Sequence, residues 1–391
     1  MKLNVIIIGS GMFCTGRGTS GFGTILPSVF EAHKKDLIEN VAICSTKLES
    51  SAKAKAKVNK LTKINKQKIN FHFFPNKKLN NYSLSDVIKE INCNCAIIST
   101  PDHLHSKFAL QLMKLRIHCL VVKPMTNNTT DAKKMIKSAI DNNVLGMVEF
   151  HKRYDEANII LKDYIQSQRL GNLEYSIIEY SQRKIIPTKM FSKWINKTNI
   201  FQYLAVHYVD LIYYLTNFIP MKVKAWGQND YLKKNKINNY DSIQVTIEWK
   251  RSDGGKFLSF HFTNWIDSNK SSSMSDQIIK IIGEKGKIIS DQKNRGLQII
   301  TDREGVNDIN PYFSSVLANN NPLSSSSFGY GIKSILTFLE HVKLLLNTEN
   351  KNVNKYINNN FPSFKSSYIS TAVLEAVNKS LKVNKSIKVK L

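Results

Sequence analysis

Val5-Ile6-Ile7-Ile8-Gly9-Ser10-Gly11 passes within seven positions from β-branched residues to a pair of glycines. β-Branched side chains suit a buried strand, and glycine tolerates the backbone of a tight turn at its end. Apolar runs of the same kind recur at 41–44, 71–74, 96–98 and 119–122. Between them the pattern predicts helices over 25–39, 51–61, 86–91 and 105–115. Strands that alternate with helices at this pace imply right-handed crossovers and a parallel sheet. Ligands of such sheets gather at the carboxyl ends of the strands. Those ends carry Gly9, Ser45, Thr100 and Lys123.

A glycine pair directly after a first buried strand is the setting of a dinucleotide-binding turn. Gly9 permits the turn, and Gly11 lets backbone come close to a pyrophosphate beside Ser10 and Met12. The third position of that fingerprint is Cys14 rather than glycine. Glycines at 16, 18, 21 and 23 lengthen the loop, and Arg17 within it suits a phosphate. The second strand ends in Ser45-Thr46-Lys47, where an acid would read the ribose 2′-hydroxyl of NAD. Two hydroxyls and a cation suit a 2′-phosphate better, which favours NADP and leaves NAD open.

From about residue 126 the pattern changes. Helices are expected at 130–142 and 156–168, around a strand at 146–150. Strand-like runs follow at 173–183, 223–227, 243–249, 256–263, 277–283 and 286–290, mostly joined by turns. A helix is expected at 200–216, a last helix at 366–381 and a closing strand at 387–389. The Ser/Asn-rich stretch 314–328 reads as a flexible loop. The expected fold class is an α/β Rossmann domain, 1–125, plus an α+β domain, 126–391, with a large, mostly antiparallel open sheet. The C-terminal helix is a candidate to pack back on the first domain. The uncovered face of such a sheet implies a homodimer or homotetramer.

The net charge is +26, and nine lysines fall between Lys53 and Lys78. No aromatic interleaving and no nucleic-acid motif accompanies them, so no specific nucleic-acid partner is expected; an anionic small substrate fits the charge equally well. No apolar run reaches the roughly 18 residues that span a bilayer, so no membrane role is expected, and no signal-peptide core is evident. The odd count of five cysteines, without a C-x-x-C pair, reads as buried thiols in a reducing cytoplasm.

Two further stretches carry a resemblance. Ser99-Thr100-Pro101-Asp102-His103-Leu104-His105 and, later, Val121-Val122-Lys123-Pro124 resemble the T-P-x-x-x-H and E-K-P motifs of the Gfo/Idh/MocA oxidoreductases. The likeness covers nearly the whole chain, including residues 165–175 and the closing 374–389. It implies a nicotinamide cofactor touched by Thr100, Pro101, His105, Lys123 and Pro124. It also implies a sugar or sugar derivative as substrate.

The family's second half carries a D-x-x-x-H pair on a helix; here the positions are Tyr203 and His207. So two family carboxylates are replaced, by Val122 and Tyr203. A lysine lacking its motif carboxylate is expected to lose its proton more easily, through desolvation and the nearby nicotinamide cation. His207 is the candidate base, Lys123 the group that holds the reacting oxygen, and Tyr203 a hydroxyl donor or relay. Arg153, Arg183, Trp194 and Trp265 are candidates for substrate contact, each with solvated strand end or core packing as the plainer alternative. The substrate is left between a nucleotide sugar of surface-glycan synthesis and a free sugar or cyclitol of catabolism. A dinucleotide-binding protein without turnover is the remaining alternative.

Overall fold

The computed structural model describes residues 1–76, 81–317, 326–348, 352–353 and 361–391. The chain divides into two units. The first holds residues 1–126, 130–154 and 312–366; the second holds 127–129, 155–311 and 367–391.

The first unit opens with β1 (Leu3–Ile8), a short α1 (Met12–Thr15), α2 (Ile25–Lys34) and β2 (Ile38–Cys44). It continues through α3 (Leu48–Asn65), β3 (Asn70–Phe74), α4 (Leu84–Ile91), β4 (Cys95–Ile98) and α5 (His105–Met113). Then come β5 (His118–Val122), α6 (Thr129–Asp141) and β6 (Gly146–Glu149). The six strands form one sheet in the order β3-β2-β1-β4-β5-β6, with every pairing parallel. The strand β1 sits inside it, and Val5, Ile6 and Ile7 are fully buried. That explains why this run is apolar without alternation: both faces are covered. Burying each such side chain is worth roughly 1.5–3 kcal/mol. The helix expected over 25–39 stops at Lys34, because Asp36 turns with φ of 57° and β2 begins at Ile38.

The second unit holds α7 (Glu156–Gln166), β7 (Leu173–Arg183), a π-helical turn at Phe201–Ala205 and α8 (Val206–Thr216). It goes on with β8 (Ile219–Gln228), α9 (Asp230–Lys234), β9 (Ser242–Lys250), β10 (Lys256–Asp267), β11 (Ser275–Gly283) and β12 (Gly286–Asp291). A separate hairpin, β13 (Leu297–Thr301) with β14 (Gly305–Ile309), follows. The large sheet has the order β12-β11-β7-β10-β9-β8 with a short closing strand beside β8. Only β10 with β7 is parallel. Its strands alternate. In β10, Phe257, Ser259, His261 and Thr263 are buried, while Phe262 on the other face is 44% exposed. Alternation of this kind marks a sheet covered on one side within its unit.

The chain re-enters the first unit at Tyr312. Part of the expected loop at 314–328 is a hairpin, β15 (Ser315–Leu317) with β16 (Ser326–Phe328); its middle lies outside the described residues. Next is α10 (Tyr330–Leu346), a helix that the sequence reading did not anticipate. Its buried stripe, Ile332, Ile335, Leu336, Leu339 and Val342, joins the core formed with α2. The division between units falls inside α11 (Phe364–Val383). The later turns of α11 belong to the second unit, where Ser380 Oγ accepts from the Ala225 amide at 3.0 Å. The closing β17 (Ile387–Lys388) pairs with β8 there. Among the described residues no helix is long and apolar enough to cross a membrane.

Candidate active site

The glycine turn follows from close backbone packing. Gly9 has φ of +105°, and a Cβ there would stand 2.2 Å from the Ser99 carbonyl oxygen at the end of β4. No other residue fits that approach. At Gly11, by contrast, a Cβ would meet nothing within 4 Å. So the ends of β1 and β4 touch, and space opens one step further on, beside the first turn of α1. The residues fit a pyrophosphate there: backbone without side-chain obstruction, at the carboxyl edge of a parallel sheet. Ser45 Oγ donates to Ser10 Oγ at 2.7 Å, and Tyr82 donates its hydroxyl to the Ser45 carbonyl at 2.9 Å. Both serines are buried, so this pair ties the turn to the end of β2.

The lengthened loop is held from α3. Lys57 Nζ donates to the carbonyls of Thr19, at 3.0 Å, and Gly21. Burial, then the neighbouring Lys60, lowers the Lys57 pKa. Both lysines lie over the Phe22 ring, at 5.5 and 5.7 Å. This anchoring sets Arg17 beside the first turn of α3, with its Nη1 3.4 Å from Ser50 Oγ. Thr46 and Lys47 are exposed just before that turn, and Lys47 is the residue preceding α3. Cys14, at the third fingerprint position, is fully buried, and burial pushes its thiol up to about 12. All five cysteines are free thiols.

Thr100 and Pro101 follow β4 and are partly exposed. His105 is buried: its Nδ1 lies 2.8 Å from the Pro124 carbonyl and its Nε2 2.9 Å from that of Thr100. A neutral imidazole donates to one of these at a time, and burial lowers the pKa of this one. His105 thus ties the end of β4 to the cis Lys123-Pro124 bond after β5. That is the physical use of a histidine four residues after Pro101.

Lys123 lies one residue past β5. Burial is the largest influence on its amine and lowers its pKa to about 8; Asp102 and then Glu149 act in the opposite sense. The lysine is therefore not left without carboxylates, as the loss at Val122 implied. The carboxylates come from elsewhere, and sequence reading gave neither of them a role. Asp102 sits in the 3-10 turn after Pro101 and is 4% exposed. Glu149 ends β6 and is fully buried. Its signal was an acid inside the apolar run Met147-Val148-Glu149-Phe150. A short turn, His151–Tyr154, follows, in which His151, Lys152 and Arg153 are all buried. His151 Nδ1 donates to both Glu149 oxygens, at 3.0 and 3.1 Å, and its ring packs on Phe313 and Tyr330.

In the second unit, Tyr203 lies in the π-helical turn and His207 in the first turn of α8. The helix expected at 200–216 thus opens on a π turn, and the two residues are not one regular α-helical turn apart. A π turn closes i to i+5, so four residues fall short of a full turn across this junction. His207 is buried, and Tyr203 is partly exposed. Tyr203 belongs to an aromatic cluster with Phe191 (centroids 4.7 Å), Trp194 (6.4 Å) and Trp265 (6.2 Å). Trp265 is fully buried, with Nε1 donating to Gln182 Oε1 at 3.1 Å; Trp194 is partly exposed. Of the two tryptophans, then, Trp194 offers a ring face and Trp265 backs the cluster. Arg183 spends its guanidinium on the loop after β10: Nε donates to Ser271 Oγ at 3.2 Å and to the Ser273 carbonyl at 2.8 Å. So Tyr203, Trp194 and Trp265 are brought together, and Arg183 is engaged with that loop.

Comparison with known proteins agrees with this geometry. The family profile described as "Oxidoreductase family, NAD-binding Rossmann fold" matches residues 3–150, and the "GFO/IDH/MocA C-terminal domain" matches residues 159–289. Myo-inositol 2-dehydrogenase of Thermotoga maritima is 22% identical over 56% of this chain, which spans 63% of that protein's length. Glucose-6-phosphate 3-dehydrogenase of Bacillus subtilis is 25% identical over 71% of this chain and 77% of its own. Among solved structures, the WlbA dehydrogenase of Bordetella pertussis, in complex with NADH and UDP-GlcNAcA, has a TM-score of 0.67 at 18% identity. That match covers 100% of this chain and 98% of that one.

Proposed function

Because the chain belongs to the Gfo/Idh/MocA oxidoreductase family, with an NAD-binding Rossmann domain, we propose that it is an NAD(P)-dependent dehydrogenase acting on a sugar or nucleotide sugar. The observation that carries this reading is Lys123: an amine at the carboxyl edge of the parallel sheet, its pKa lowered to about 8 mainly by burial. A lysine in that state holds an oxygen and exchanges a proton near physiological pH.

Bound nicotinamide supplies the two-electron chemistry. The backbone at Gly9, Ser10, Gly11 and Met12 would take the pyrophosphate, and Thr100 and Pro101 would hold the nicotinamide end. Arg17, Ser45, Thr46 and Lys47 take the adenine ribose, with Arg17 and Lys47 suited to a 2′-phosphate. His105 fixes Pro124 and so sets where Lys123 stands. Lys123 holds the reacting oxygen and stabilises charge as it develops. His207 takes the hydroxyl proton, and Tyr203 is a hydroxyl donor or relay. Trp194 offers a face for a ring, and Arg153 favours an anionic substrate, while Arg183 holds the loop after β10.

The nucleotide-sugar reading draws on the basic charge and on the ligand named in the WlbA structure. A free cyclitol is the second reading, favoured by the activity named for the Thermotoga relative. Purified protein is to be screened for cofactor reduction against nucleotide sugars and free polyols. Turnover of one class selects between the readings. Cofactor binding with no turnover of any member leaves a dinucleotide-binding protein and overturns the dehydrogenase.

Self-association belongs to the same proposal. The outer face of the large sheet carries Tyr175, Phe262 and Ile266, all exposed on its central strands β7 and β10. A second copy of the chain is the occupant we assign to that face.

A further inference from the structure

A buried carboxylate is costly unless charge or hydrogen bonds answer it. Glu149 is fully buried at the end of β6. It stands in parallel register with Val122, so the two side chains leave the same face of the sheet at the same height. Val122 is the residue before Lys123, and it is where the resembling motif has its glutamate. His151, two residues on, donates Nδ1 to both Glu149 oxygens.

We propose that Glu149 is a positioning residue for Lys123. It supplies from the neighbouring strand the carboxylate that position 122 lacks, and His151 fixes that carboxylate in place. Together with Asp102 it keeps the amine charged enough to hold an oxyanion despite burial. The charged groups that act on the amine are Asp102, from the turn after β4, and Glu149, from β6; His151, Lys152 and Arg153 lie buried in the turn that follows Glu149. His105 of α5 contacts the carbonyl of Pro124, the residue after Lys123. Glu149 raises the amine's pKa while burial lowers it, so removing Glu149 frees the proton at lower pH. The inference rests on the reading of Lys123 as the oxygen-holding group, but its test does not need turnover.

The test is competitive labelling with acetic anhydride across a pH series, read at the Lys123 peptide by mass spectrometry. In Glu149→Gln the labelling midpoint of Lys123 is expected to move to lower pH. Val122→Glu in the Glu149→Gln background returns it toward the wild-type value. Val122→Glu alone, which keeps the native partner of His151, moves it to higher pH. An unchanged midpoint in both Glu149→Gln and Val122→Glu overturns the inference. So does a shift in Glu149→Gln that Val122→Glu fails to reverse. If the midpoints move as stated while no substrate is turned over, the dehydrogenase reading fails and the placement of charge stands.

Discussion

Burial and charge act against each other at Lys123. Desolvation disfavours the ammonium form, and Asp102 and Glu149 restore part of it, leaving a pKa of about 8. The sign of the pH dependence follows. Below about pH 8 the amine is charged and can hold a developing oxyanion; above it the proton is lost. Carbonyl reduction by the enzyme is therefore expected to fall as pH rises through this range. Lys123→Arg, whose charge does not titrate, should remove that limb from whatever activity remains. A pH–rate profile of both proteins on the substrate found in the screen checks this. If Lys47 meets a 2′-phosphate as proposed, Lys47→Ala is expected to weaken NADP binding more than NAD binding. Equal losses by calorimetry would dismiss a 2′-phosphate contact. The places of Lys123 and His105 after two strands of the parallel sheet were legible in the sequence, because each strand is an apolar run that stops at a short polar motif. Glu149 was not, because its partner Val122 is 27 positions away and only sheet register brings them level.

At the scale of the element, the glycine turn is the proposed seat of the dinucleotide. Gly9 combines a positive φ with a backbone contact to Ser99, so Gly9→Ala strains the turn twice over. The expected cost is about 1–3 kcal/mol of stability, with loss of cofactor affinity. Thermal melting and NADH or NADPH fluorescence titration measure the two effects. Melting and affinity both at wild-type values would contradict the packing described. The strands of the first sheet were readable because buried parallel strands are continuous apolar runs. The helix α10 was equally readable in principle, since Ile332, Ile335, Leu336, Leu339 and Val342 recur at helical spacing. The Ser/Asn-rich segment before it drew the reading toward loop. The π turn at Phe201–Ala205 leaves no periodic trace in sequence, because one extra residue in a single turn is set by local packing.

At the scale of the whole molecule, the chain is threaded more than once between its units. Residues 130–154 and 312–366 belong with the first 126, which composition alone does not reveal. The large sheet of the second unit was legible in kind, through its alternating runs. Its order was not, since β10 lies between β7 and β9 only through a long-range parallel pairing. Its open face bears on assembly. Phe262→Asp puts a charge on that face and is expected to give the 44.6 kDa monomer in light scattering, where wild type is expected to be larger. Cofactor affinity should be unchanged. A wild-type monomer would remove the proposed interface.

The reaction proposed for this molecule is tested most directly by Lys123→Ala, comparing turnover of the screened substrate with NADH and NADPH binding in the same preparation. Turnover should fall by about 100-fold or more, while cofactor affinity changes by less than about threefold, under about 1 kcal/mol. Turnover that stays within about threefold of wild type, with the fold intact, would contradict a role for this amine at the reacting oxygen.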